Sequence, residues 1–354
     1  MASRLQLAVD TGVIARNMAH IRRRAGNCAV LAVIKADAYG LGALRMGEFL
    51  KTQGVTAFGA ATIDEALALV PLGLPVQILG ALLPEEIAPA VAAGLRCPVD
   101  SYATAERLSR EAVKQQKTVD CEIAIDTGMG RLGLVAGDDA IAEIRRIAGL
   151  PNLELNGIYA HFSSAGEPEG EYTALQLKRF LELFRKLAMP FKRVHHAATE
   201  GIELVDAAEQ PPFTQVRAGL GMYRDALTLT ARLGAVRRLK KGSFLGYSRT
   251  CQLERDATIG VVCAGYADGI PLALSNRGEM LVRGHRCPVR GRVSMDYTLI
   301  DLSAVPDAAY GDPVECFGHG PESVRPEDWG VLKGTHLHDI LCAVSPRVER
   351  IFRP

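Results

Sequence analysis

Apolar residues Val13, Ile14, Met18 and Ile21 recur at helical spacing and predict a first helix over 11–25, with Thr11 placed to cap it and Gly26 to stop it. The run Ala29-Val-Leu-Ala-Val-Ile34 has no polar interruption and carries β-branched residues, which predicts a buried strand. It leads into Lys35-Ala-Asp-Ala-Tyr39-Gly40-Leu-Gly42, whose glycines predict a turn into a second helix over 43–53. Strand-like runs return at 56–60, 76–80, 96–99, 121–125, 155–161, 194–198 and 215–220. Helical spacing fills the intervals at 62–70, 84–93, 102–114, 138–147, 171–187 and, more briefly, 200–208. About eight βα units result, the number that closes a (β/α)8 TIM-like barrel. Periodicity does not distinguish closure from an open doubly wound sheet; the count favours the barrel, assigned to residues 1–230.

From about residue 231 the helical period is lost. Short strand-like runs at 259–264, 280–283 and 297–302 take over, punctuated by glycines from Gly242 to Gly291, so 231–354 is expected to be a C-terminal all-β domain. The class is therefore α/β, a barrel followed by a β domain. A length of 354 residues leaves ample core for both. The formal charge of +1, with no sustained basic stripe, argues against a nucleic-acid partner. No apolar run is long enough for a bilayer, and the first residues lack a signal peptide's apolar core. The eight cysteines form no Cys-x-x-Cys pair, which fits reduced thiols. The expectation is a cytoplasmic protein with no membrane partner.

In a barrel, the C-terminal ends of the strands form one working rim. Lys35 follows the first strand, Asp126 to Arg131 the fifth; His161 ends the sixth, Thr199 follows the seventh, and Arg217 lies in the last. On position alone Lys35 could simply reach out to solvent, and His161 could be a hydrogen-bonded structural histidine. The segment Arg217-Ala-Gly219-Leu220-Gly221-Met-Tyr223 offers backbone amides that can hold a phosphate. Lysine, phosphate-binding amides and arginine on one rim suggest pyridoxal 5'-phosphate, which needs an amine for its Schiff base, a phosphate cradle and a partner for its pyridine nitrogen. No metal is expected. His195 and His196 would point to opposite faces of a strand, and His336 and His338, able to share a face, have no carboxylate-rich partner spacing.

The run Val33-Ile-Lys35-Ala-Asp-Ala-Tyr39-Gly40 resembles the cofactor-lysine motif of bacterial alanine racemases, barrel-type pyridoxal-phosphate enzymes. The likeness extends through Asp126-Thr-Gly-Met-Gly-Arg131-Leu-Gly133, Tyr159-Ala-His161-Phe-Ser163 and Arg217-Ala-Gly219. It continues in Gly246-Tyr247-Ser-Arg-Thr250, Gly265-Tyr266-Ala-Asp-Gly269 and Gly291-Arg-Val-Ser-Met295-Asp296, in the family's order over nearly the whole chain. The resemblance implies that Lys35 carries the internal aldimine and acts as the base on one face of the α-carbon, with Tyr247 of the partner subunit in a homodimer as the base on the other. It implies that His161 and Arg217 form a network with that tyrosine, and that Arg217 faces the pyridine nitrogen. An always-charged guanidinium there disfavours protonating the ring, which favours two-sided proton transfer over a long-lived carbanion. Tyr39, Thr199, Gly219 and Leu220 match phosphate-binding blocks, Arg131 and Met295 substrate-carboxylate positions, and Tyr266 and Asp296 the entrance.

Three positions depart from the family pattern. Ala124 stands seven residues before Arg131, where the family commonly has a lysine, often carbamylated. Ala198 replaces an asparagine, with Thr199 in the place of the phosphate-binding serine, and His338 aligns with a tyrosine that reaches the phosphate. Both implied bases are intact, so the changes bear on substrate range and cofactor affinity. Racemisation of alanine, supplying D-alanine for peptidoglycan, is the leading reading, and a racemase for serine or a broader set of amino acids is its close alternative. A decarboxylase of the same cofactor class fits less well, because the β domain lies wholly after the barrel. A non-catalytic pyridoxal-phosphate carrier would lack that domain.

Overall fold

Eight parallel strands close on themselves. Ala29–Val33 pairs with Ala57–Ala60 on one side and Gln215–Ala218 on the other, and Ala57–Ala60 pairs with Val76–Ile78. Cys97–Val99, Val119–Asp126, Leu153–Tyr159 and Arg193–His195 form a second parallel set. Single bridges from Gln77 to Arg96 and from Ala198 to Arg217 join the two sets at both edges. The expected barrel is thus closed, with no free edge among these strands. The computed structural model describes residues 4–167 and 170–354. They divide into one unit of Arg16–Ala38 and Gly42–Met222, which holds the barrel, and another of residues 4–15, Tyr39–Leu41 and Tyr223–Pro354.

The helices of the barrel follow from their spacing. Tyr102–Lys114 buries Ala105, Leu108, Ser109 and Ala112, and Asp138–Ala148 buries Ala140, Ile141, Ile144 and Ile147, one stripe each. Ser101 Oγ caps the first by accepting from the Thr104 amide at 3.2 Å. In the strand Val119–Asp126, Val119, Cys121, Ile123 and Ile125 are buried on one face, and the period of two puts Asp120, Glu122 and Ala124 on the other. Barrel interiors are ordinarily filled by branched aliphatic residues. Here Gln77, Glu122, His195, Gln215 and Arg217 are all buried.

In the other unit, the long strand Leu227–Leu239 pairs antiparallel with Leu5–Asp10, Ala257–Val262 and Pro313–Phe317. Leu5–Asp10 lies parallel to Glu349–Arg353, so the chain's first and last described strands are neighbours. The register slips between Leu233 and Ala235; a Cβ on the intervening Gly234 would fall 2.5 Å from Cys263 Sγ. Two features lie outside the expectation. The strand Leu5–Asp10 was not anticipated, and the expected all-β domain is β-rich, with helices Pro326–Lys333 and Leu337–Cys342 inside it.

Candidate active site

The chain leaves its first barrel strand at Ile34 and at once turns left-handed. Ala36, Asp37, Ala38, Tyr39 and Gly40 have φ of 51, 53, 54, 59 and 81°, one left-handed helical turn beginning at Lys35. Four of the five carry a Cβ, and each such residue costs about 1–2 kcal/mol in that region. Local bonds hold the turn in place. The Ala36 amide donates to Glu65 Oε1 at 2.8 Å, Ala38 to the Ile34 carbonyl at 2.9 Å, and Ala43 to Asp37 Oδ1 at 2.7 Å. Strain of this kind gathers at sites where chemistry fixes the backbone, and Lys35 is the residue it presents.

Arg217, in the eighth strand, is buried in the barrel. Its Nη1 donates to His195 Nδ1 at 2.5 Å, and its Nη2 to the Ala160 carbonyl at 2.8 Å, the His196 carbonyl at 2.9 Å and His161 Nδ1 at 3.0 Å. The Tyr159 ring stacks on His195 at 5.1 Å, and the guanidinium lies 5.6 Å from the same ring. Burial pulls the arginine down to about 10. Burial, then the charges of Arg217, Arg131 and Lys35, pull His161 down to about 3. Four residues singled out from the sequence therefore share one electrostatic environment, and its net positive character suits an anionic ligand.

The exits of the seventh and eighth strands meet at Thr199, whose Oγ1 accepts from the Gly221 amide at 3.2 Å. A Cβ on Gly221 would fall 2.8 Å from Thr199 Cγ2, so only glycine lets the backbone following Gly219 and Leu220 approach so closely. Amides brought together this way at strand ends are what a phosphate needs. Ala198 precedes the helix Thr199–Leu204 without a capping side chain. Ala124 is buried, a Cβ on Gly133 would fall 2.8 Å from its backbone, and residue 124 supplies no anion to Arg131, which is exposed.

The remaining candidates lie in the β-rich unit. The buried Tyr39 ring meets Tyr223 edge-on at 5.5 Å and His338 at 5.8 Å. Burial pushes the Tyr39 phenol well above its ordinary value. Tyr247, Tyr266, Met295 and Asp296 sit on three segments that touch through glycines. A Cβ on Gly246 would meet the Arg292 amide nitrogen at 3.1 Å, on Gly265 the Met295 carbonyl at 2.3 Å, and on Gly291 the Leu245 carbonyl at 2.8 Å. Asp296 is paired with Arg347 at 2.8 Å. Tyr247 is 70% exposed, Met295 52% and Tyr266 44%. Sequence reasoning missed Glu122, Arg193 and the part played by His195. A charged residue in the middle of a buried strand was the available signal.

The buried histidines carry a pH prediction. Burial, opposed by Glu122 and aided by Arg217 and Arg193, holds His195 at about 4; burial and then Arg217 hold His196 well below an ordinary imidazole. All three folded values, His161 included, lie below the unfolded value of about 6.5. The unfolded chain therefore takes up protons first, and stability present above that pH is lost as pH falls toward about 4. The three together contribute at most about 4 kcal/mol per pH unit to the urea unfolding slope in that window, opposed by Glu209, whose carboxyl is pushed up to about 7 by burial. Neither His196 nitrogen has a partner among the described residues, and its ring stacks on Phe162 at 3.8 Å and Phe180 at 5.3 Å. His196→Phe should leave stability at pH 7 unchanged or raise it by about 1 kcal/mol, and should flatten the slope by about one proton. An unchanged slope would show that His196 is not held neutral.

Residues 9–226 match the alanine racemase N-terminal domain family and residues 226–352 the alanine racemase C-terminal domain family. An alanine racemase of Caldanaerobacter subterraneus subsp. tengcongensis is 32% identical, over 99% of this chain and 94% of its own. The alanine racemase of Bacillus anthracis with bound L-Ala-P has a similar structure, with a TM-score of 0.91 at 28% identity over 100% of this chain and 96% of that one. That of Bartonella henselae, with covalently bound pyridoxal phosphate, gives 0.90 at 25% identity over 99% and 100%. Both domain families are matched in order, almost from end to end, on a closed barrel followed by a β-rich domain; the chain belongs to the alanine racemase family.

Proposed function

We propose that this chain is a pyridoxal-phosphate-dependent racemase that interconverts L-alanine and D-alanine in the cytoplasm, supplying D-alanine for peptidoglycan. The observation that carries the reading is Lys35, presented on a strained turn at the end of a barrel strand and acting with Arg217 and Arg131 on the neutral His161. Residues 1–230 would carry most of the cofactor-binding groups, and 231–354 would supply Tyr247 and His338. Lys35 would hold the cofactor through its amine, and Arg217 would hold its ring. Thr199, Gly219, Leu220, Tyr39 and His338 would be the residues that bind its phosphate. Once bound, the cofactor supplies an electron sink for the substrate's α-carbon.

The chain's own groups do the rest. Lys35 Nζ would hold or move the proton on one face of the substrate's α-carbon, and Tyr247 Oη would do so on the other. Arg131 and Met295 take the substrate carboxylate; Tyr266 and Asp296 line the entrance. His161 accepts from Arg217 at Nδ1, so its own proton sits on Nε2. The exposure of Tyr247, Tyr266 and Met295 supports a homodimer in which each subunit lends this tyrosine to the other. Ala124 and His338 support a second reading, a racemase for serine or a broader set of amino acids.

Racemisation of L-alanine, L-serine and L-lysine, with and without added cofactor and followed by chiral chromatography, separates the two. The expected result is cofactor-dependent turnover, with kcat/KM for alanine ahead by about tenfold or more. Negligible alanine turnover beside brisk serine or lysine turnover would favour the second reading. Bound cofactor with no turnover of any amino acid would sink both.

A further inference from the structure

One ionised group in the barrel has no part in these roles. Glu122 lies in the middle of the strand Val119–Asp126 with its side chain fully buried. Three donors converge on its two oxygens: His195 Nε2 at 2.7 Å and Gln77 Nε2 at 2.6 Å on Oε2, and Arg193 Nε on Oε1. The neighbouring strand makes room for it, since a Cβ on Gly157 would fall 2.6 Å from Glu122 Cδ. Arg193 is held in turn by Asp120, which also pairs with Arg96 at 3.3 Å.

The proton positions in this layer follow from donor chemistry. A guanidinium only donates, so His195 Nδ1, which receives Arg217 Nη1, carries no proton. His195 is therefore neutral, with its proton on Nε2 and given to Glu122. The same reasoning puts the His161 proton on Nε2, because Arg217 Nη2 occupies its Nδ1. A line of hydrogen bonds runs from Glu122 through His195 and Arg217 to His161, and the carboxylate at its inner end leaves one arrangement of protons along it.

We propose that Glu122 is a positioning residue of the racemase site: its carboxylate fixes the Nε2–H tautomer of His195 and thereby the placement of the Arg217 guanidinium. The inference rests on the role given above to Arg217. Burial alone would push the Glu122 carboxyl up, but the His195 and Arg193 contacts hold it at about 2, so it is ionised throughout the working range. An amide cannot replace it. With three donors facing two atoms, an NH2 group at either place would oppose an N–H of His195 and Gln77 or of Arg193.

The test compares the cofactor-loaded protein with Glu122→Gln and Glu122→Asp, each labelled with 15N-histidine. In the wild-type protein His195 should show protonated Nε2 and bare Nδ1 from pH 6 to 8, with and without cofactor. Glu122→Gln should lose that single tautomer, shift the cofactor's absorbance maximum and lower kcat by about tenfold or more with KM changed less than about threefold. Glu122→Asp, which keeps the charge, should recover part of the tautomer and of kcat. A wild-type His195 protonated on Nδ1 or on both nitrogens would overturn the proposal, and this measurement needs no variant to fold. A Glu122→Gln protein with unchanged tautomer, absorbance and kcat would overturn it equally. A wild-type protein that shows the expected tautomer yet racemises nothing would refute the racemase reading, and with it the catalytic purpose given to Glu122.

Discussion

Replacing Lys35 by alanine is expected to lower kcat/KM for alanine by roughly 10⁴-fold or more and to remove the visible absorbance of the bound cofactor. The side chain would be lost twice over, as the amine that holds the aldehyde and as the base on one face of the substrate. None of its neighbours can stand in. Arg217 is committed to His195, His161 and two carbonyls, and a guanidinium cannot release a proton at working pH. His161 offers only a bound Nδ1 and a protonated Nε2. The fold should not suffer, because the left-handed residues run from Ala36 to Gly40 and their bonds come from Glu65, Ile34 and Asp37. Unfolding free energy should stay within about 0.5 kcal/mol of wild type. Chiral assay, an absorbance spectrum and urea unfolding of the same preparation check all three. Retention of more than about a hundredth of the wild-type rate would remove Lys35 from the chemistry.

The barrel was legible because its helices and strands each carry their own period. The helices over 102–114 and 171–187 have the bounds their spacing predicts, since their apolar stripes and flanking turn residues are local. The strand Leu5–Asp10 also alternates, burying Leu5, Leu7 and Val9, but it is six residues long and runs straight into the next helix. Its partners, Leu227–Leu239 and Glu349–Arg353, lie more than two hundred residues away in the chain. The left-handed turn after Lys35 left no trace either. Ala-Asp-Ala-Tyr is not a sequence that favours positive φ, and one of the bonds that hold it comes from Glu65, distant in the chain. Among the barrel's site residues, those at strand ends and Arg217, beside its glycines, stood out, whereas Glu122 inside its strand did not. A strand buried on both faces hides which of its residues point inward. Glu122 between Cys121 and Ile123 becomes meaningful only once Gln77, Arg193 and His195 are seen to converge on it.

Tyr247→Phe should divide the reaction rather than stop all of it. Gly246, Ser248 and Arg249 have φ of 67, 61 and 54°, so the tyrosine sits in a sharply turned segment that presents its ring outward, and loss of one exposed hydroxyl should leave the fold intact. Racemisation is expected to fall by roughly 10³-fold, while the cofactor absorbance stays and Lys35 still exchanges the α-proton of one enantiomer. In deuterated water, proton NMR would then show washout from one enantiomer of alanine and almost none from the other. Equal exchange from both would refute the assignment of Tyr247 as the second base. The same variant tests where the tyrosine acts. Lys35→Ala and Tyr247→Phe are each expected to be inactive alone. If Tyr247 serves the Lys35 of the partner subunit, a hybrid dimer has one site with both defects and one with neither. Equal mixing with free exchange should then restore about a quarter of wild-type activity. If both bases belong to one chain, every site in the mixture lacks one of them, and exchanged dimers remain inactive.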